Sequence, residues 1–107
     1  MKTIEIFRKL FYISNYPKET TTNHMINRRI LLIIIKKYPE FKFLTYKLNQ
    51  LIDKYPSQRF GQIVCNYIFP YYREDFNGSK FFKNIFPYSE DPFYEEPLTT
   101  LKNVLDS

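Results

Sequence analysis

Phe41-Lys42-Phe43-Leu44-Thr45-Tyr46-Lys47-Leu48-Asn49-Gln50-Leu51-Ile52-Asp53-Lys54-Tyr55 is the stretch that decides the fold. Phe41, Leu44, Leu48, Leu51, Ile52 and Tyr55 recur at i, i+3, i+4 and i+7, the period of a helix with one buried face. Pro39 suits its first turn, where a missing N–H costs nothing, and Pro56 stops it. Ser57 is placed to cap the next helix, and Phe60, Ile63, Val64, Tyr67 and Ile68 form a second apolar stripe that lasts until Pro70. Two such stripes across a short proline turn predict a helical hairpin.

Upstream, Thr20-Thr21-Thr22-Asn23 offers side-chain oxygens for free backbone donors, so a helix is expected from there to about Tyr38. Its second half, Ile30-Leu31-Leu32-Ile33-Ile34-Ile35, is apolar on all sides and predicts a central position. β-branched residues dominate it, and the competing reading is a buried strand at residues 30–35, which would make the fold α+β. Ile4, Phe7, Leu10, Phe11 and Ile13 predict a short amphipathic helix over residues 3–13, ended by Tyr16-Pro17. Downstream, residues 67–94 hold 11 of the 21 Phe and Tyr residues, three prolines and the turn dipeptide Asn77-Gly78, and read as an ordered loop stapled by aromatics. Pro97 then opens a last short helix with Leu98, Leu101, Val104 and Leu105 inward, and Glu95 and Glu96 stand at its positive N-terminal end. The expectation is a mainly α, compact single domain spanning 1–107, with about four to five helices. Residues 35–43 echo residues 52–60 at five of nine positions, a repeated Tyr-Pro stop and new helix start, too few copies for a solenoid.

The chain has 107 residues, with 44% hydrophobic and 25% charged, the balance of a soluble folded protein. It contains no alanine or tryptophan and is rich in Ile, Lys, Asn, Tyr and Phe, the footprint of an AT-rich genome. The net charge of +5 is unevenly spread. Residues 1–60 carry 12 Lys/Arg against 4 Asp/Glu, whereas residues 61–107 carry 4 against 7. If the two halves form separate faces, a basic half can meet phosphate or an acidic protein groove, while an acidic aromatic half lies opposite. The longest apolar run is six residues, against the roughly 20 that cross a bilayer, so no membrane association is expected. Residues 1–14 contain Arg8 and Lys9 and lack a small-residue cleavage site, and the lone Cys65 implies no oxidising compartment; the expected location is the cytoplasm.

Residue types that expose an active site are almost missing. His24 is the only imidazole and Cys65 the only thiol, so nucleophilic chemistry would have to join a helix-start histidine to a cysteine on an apolar stripe. Zinc would need more His and Cys than the chain owns. Glu74, Asp75, Glu90, Asp91, Glu95 and Glu96 are either magnesium ligands or a solvated acidic edge. The expectation is a protein that is not an enzyme and needs no cofactor. Arg28, Arg29, Lys36, Lys37, Lys42, Lys47, Lys54 and Arg59, with Tyr38 and Tyr46 among them, are the candidate residues for contact with a partner or with RNA or DNA. Their other reading is a solvated basic surface. Gly61 in an apolar helical stripe costs roughly 1 kcal/mol against alanine. Either another element approaches it closely, with Arg59 pairing a carboxylate such as Glu95 and Gln62 bonding backbone, or Arg59 and Gln62 bind a ligand.

Tyr55-Pro56, Arg59-Phe60-Gly61-Gln62, Asn66-Tyr67 and Asp91-Pro92-Phe93-Tyr94-Glu95-Glu96, with a leucine-rich helix after them, resemble a family of short phage and mobile-element proteins over roughly residues 44–105. Pro97, where a further acidic residue is common, and the long basic N-terminal half depart from that pattern. The resemblance implies a fold role for the Arg59 and Glu95-Glu96 segments together. By analogy with small phage proteins that bind host machinery, it implies stoichiometric inhibition of a host defence effector. The concrete form is an anti-CRISPR-type inhibitor of an RNA-guided nuclease, docked near its guide RNA or nucleic-acid channel in the host cytoplasm. The alternative is a nucleic-acid-binding accessory or regulatory protein.

Overall fold

The computed structural model describes residues 19–89 and 91–107. Among them every regular element is helical. Helix α1 (Glu19–Lys37) is followed by a 3-10 turn (Pro39–Phe41) that leads into α2 (Lys42–Lys54). After the Tyr55–Gln58 turn, α3 (Phe60–Ile63), a π-helical segment (Val64–Ile68) and α4 (Phe69–Tyr72) run on consecutively. Helix α5 (Phe76–Ile85), a second 3-10 turn (Pro92–Tyr94) and α6 (Pro97–Asp106) complete the chain. The helix expected over residues 3–13 and its stop at Tyr16-Pro17 lie outside the described residues.

The 30–35 run is helix, not strand. Ile26, Ile30 and Ile34, four apart, are buried together with Leu31. β-branched residues lose about half a kcal/mol each in a helix, whereas burying each side chain gains roughly 1.5–3 kcal/mol, so packing decides. The run is not enclosed on all sides, however: Leu32 and Ile35 are 57% and 47% exposed. Helix α1 packs along α2 on one side and α6 on the other, which leaves a third face outward.

Helix α2 buries Leu44, Leu48 and Ile52, continuing the stripe that begins at Phe41. Phe60, Ile63, Val64 and Ile68 meet them, and Phe81, Ile85, Phe86, Leu101 and Val104 close a single apolar cluster. Phe41 and Phe81 join its two ends edge to face, with centroids 5.2 Å apart. The hairpin turn is clamped from α1: Asn23 Nδ2 donates to the Ser57 carbonyl at 3.2 Å, and the fully buried Asn27 donates Nδ2 to the Gln58 carbonyl at 2.8 Å.

Residues 67–94 are more regular than a stapled loop. Asn77-Gly78 is not a turn but the start of α5. Gly78 is there because a Cβ would collide with the Tyr72 carbonyl oxygen and lie 2.7 Å from the Tyr72 Cβ, so α5 could not seat against α4. The two halves of the sequence pack against each other, α1 lying along α6. Lys37 donates its ammonium to the carbonyls of Val104, Leu105 and Ser107 at 2.7, 2.8 and 2.9 Å, satisfying the end of α6.

Candidate nucleic-acid interface

The π segment and Pro70 have a common cause. Pro70 lacks an N–H, and its ring would press on the Asn66 carbonyl four residues back in a regular α-helix. Widening the turn removes that conflict: the Phe69 N–H reaches the Val64 carbonyl, five residues back. Tyr67 in this segment, and Tyr71 and Tyr72 just after it, lie beside α2. There they form, with Lys47, Gln50 and Leu51, an open groove of about 500 Å3.

Three tyrosines and one lysine dominate its lining, and further rings adjoin it. At one end Phe43 and Tyr72 meet edge to face, with centroids 5.8 Å apart, and the Lys47 ammonium stands 5.1 Å from the first ring and 5.9 Å from the second. At the other end Tyr55 and Tyr67 stack 4.4 Å apart and nearly parallel, with the Lys54 ammonium 5.6 Å from Tyr55. Gln58 Nε2 donates to the Tyr67 hydroxyl at 3.3 Å and fixes that ring. Tyr71 is 76% exposed between the two ends, and Phe43 and Tyr46 are exposed beside them. No carboxylate is among the lining side chains. Flat rings with lysines beside them and no carboxylate among the lining side chains suit stacking of bases along a phosphate backbone.

Of the eight basic residues singled out in the sequence, Lys47 lines this groove and Lys54 stands outside its lining, over the Tyr55 ring. Arg28 is turned to α2, where it donates to Asn49 and Asp53. Lys37 caps α6. Arg29 and Lys36 line a separate groove on α1, and Lys42 lines a hollow beside it. Arg59 does not pair with Glu95. Its Nη2 donates to the Phe93 carbonyl at 3.0 Å and its guanidinium lies over the Phe93 ring, 5.8 Å from the centroid. Glu95 is half-buried and instead accepts from the Thr100 hydroxyl at 2.6 Å, and burial raises its pKa although that hydroxyl lowers it. Gln62 Oε1 accepts from the Arg59 backbone N–H at 3.2 Å, the backbone bond expected of it.

Tyr67, Tyr71 and Tyr72 were hidden in the sequence among aromatics that read as internal staples; Pro70 between them was the signal for a displaced turn. His24 and Cys65 are engaged separately. His24 Nε2 is 2.9 Å from Asp53 Oδ1, and the hydrogen bonds from His24 and then Arg28 hold the Asp53 carboxyl below its ordinary value. Burial, and then the charge of Asp91, push the Cys65 thiol up. Among the described residues no three His, Cys, Asp or Glu side chains converge as a ligand set, and no helix is long and apolar enough to cross a membrane. No protein-family model matches the chain, and no curated protein or solved structure is significantly similar to it.

Proposed function

We propose that the protein acts by stoichiometric binding, and that its α2–α4 groove grips single-stranded nucleic acid held by a ribonucleoprotein partner. The observation that supports this is Tyr67, Tyr71 and Tyr72 lining one groove with Lys47 and no lining carboxylate, while Phe43 and Tyr55 touch the Tyr72 and Tyr67 rings from outside it and Lys54 stands over Tyr55. Tyr71 stands 76% exposed at this groove, and a base can cover its ring whatever the sequence. The likeness to short phage and mobile-element proteins gives the reading its concrete form, blockade of an RNA-guided defence nuclease at its guide or target strand. A positive chain does this by holding the nucleic acid rather than by imitating it.

The test has two arms. Fluorescence anisotropy with a labelled oligouridylate should show saturable binding that weakens steeply with salt. Pull-down from a bacterial host, with and without nuclease, should recover one stoichiometric ribonucleoprotein effector. RNA alone in the pull-down leaves an accessory nucleic-acid-binding role, and absence of oligonucleotide binding overturns the groove assignment.

A further inference from the structure

A second groove lies between α1 and α6 and differs in chemistry from the first. It measures about 390 Å3 and is lined by Arg29, Leu32, Ile33, Lys36, Lys37 and Leu105. Leu32 and Ile35, three residues apart on one helix, share its outward face, and Ile35 opens onto a smaller hollow of about 150 Å3 bordered by Lys42. The floor is aliphatic, so it offers bases nothing to stack on. Lys37 is committed to the α6 carbonyls and stiffens one wall. Among the described residues, none of Arg29, Lys36 and Lys42 is paired with a carboxylate.

We infer that this face docks an acidic amphipathic helix of a partner protein, its apolar residues over Leu32 and Ile35 and its carboxylates against Arg29, Lys36 and Lys42. Charge selects this occupant. A second copy would bring the same cations into apposition, and residues 2–9 of the chain itself carry Lys2, Arg8 and Lys9 against Glu5. Leu32 and Ile35, one helical turn apart, offer apolar contacts at the spacing of the i and i+3 anchors by which helices seat in grooves. This inference stands apart from the nucleic-acid reading and survives its failure.

The probe is a short labelled peptide with leucines at i, i+3 and i+7 and glutamates on both flanks, compared with its lysine-flanked counterpart and titrated into the full chain. The glutamate peptide should bind saturably and the lysine peptide should not. Leu32→Asp, and separately Arg29→Glu with Lys36→Glu, should each weaken binding by about tenfold or more, while Tyr71→Ala leaves it unchanged. Equal binding of both peptides, indifference to Leu32→Asp, or displacement of the peptide by oligouridylate overturns the proposal. Thermal melting of Leu32→Asp identifies the other occupants. A melting temperature within about a degree of the parent supports an outward face, whereas a drop of several degrees means that the chain covers the groove itself. A shift from dimer to monomer on sedimentation means that a second copy covers it, and either result overturns the partner-helix assignment.

Discussion

The backbone of Pro92 rests directly on Gly61: a Cβ at Gly61 would collide with the Pro92 carbonyl oxygen and lie 2.9 Å from its carbonyl carbon. The acidic-aromatic segment is thereby seated on α3, and Arg59, two residues before the glycine, closes the contact through the Phe93 carbonyl. Gly61→Ala gains about 1 kcal/mol of helix propensity. It loses more, because backbone cannot yield as a side-chain tip does. A net destabilisation of about 1–3 kcal/mol is expected in urea unfolding. An alanine variant as stable as the parent would show that the 92–94 turn does not pack there.

Arg59 was a candidate for contact with a partner, yet its bonds are internal. Arg59→Ala removes a charged hydrogen bond and a cation–π contact, about 2 kcal/mol together in a half-buried setting. Oligonucleotide affinity should not change once the comparison is made where both proteins are folded. Arg59→Lys separates the roles: it keeps the charge but not the planar fork, so it should fail to restore stability. Restored affinity without restored stability would return Arg59 to the binding surface.

The helical class was legible because Phe41, Leu44, Leu48 and Ile52 leave no other period, and Gly61 announced a close neighbour through its cost alone. The partner of Arg59 was not legible. Glu95 carries the charge, but Phe93 has the carbonyl that the Gly61–Pro92 contact brings within reach, and a backbone acceptor has no sequence signal. The groove was half legible for a similar reason. Lys47 and Lys54 stood out as cations, whereas Tyr67, Tyr71 and Tyr72 line the groove in and just after a π segment, a turn that a fixed 3.6-residue period does not contain.

Two carboxyls tilt the pH dependence of stability in opposite directions. Burial raises the Glu95 pKa, so the folded state holds its proton longer than the unfolded chain does. Stability then falls as pH rises from the ordinary glutamate value through the raised one, and the cost is fully present above it. Glu95→Gln, which keeps an acceptor for the Thr100 hydroxyl, should melt higher than the parent at neutral pH and alike in acid. Asp53 is held low by His24 and Arg28, so its contribution is present above the ordinary aspartate value and disappears as pH falls through its folded pKa. Exposure keeps that contribution small. Asp53→Asn should narrow the stability difference between neutral and acidic pH, and Glu95→Gln should widen it. Melting curves across pH that shifted in parallel for both variants would refute these assignments.

The groove between α2 and α4 makes a quantitative claim, because stacking and charge leave different traces. Tyr71 projects into solvent and contributes little to folding, so Tyr71→Ala should leave the melting temperature unchanged. It should nonetheless weaken oligouridylate binding by about 1–3 kcal/mol, the worth of one base on one ring, with no change in the salt slope. Lys47→Ala and Lys54→Ala should do the reverse in kind. Each should lower the slope of log K against log salt by about 0.7, the contribution of one neutralised phosphate on a single strand. Anisotropy titrations at several salt concentrations read both quantities from the same curves. If Tyr71→Ala costs no affinity while the lysine variants still flatten the slope, the rings do not stack bases, and the surface is only a basic face that attracts any polyanion.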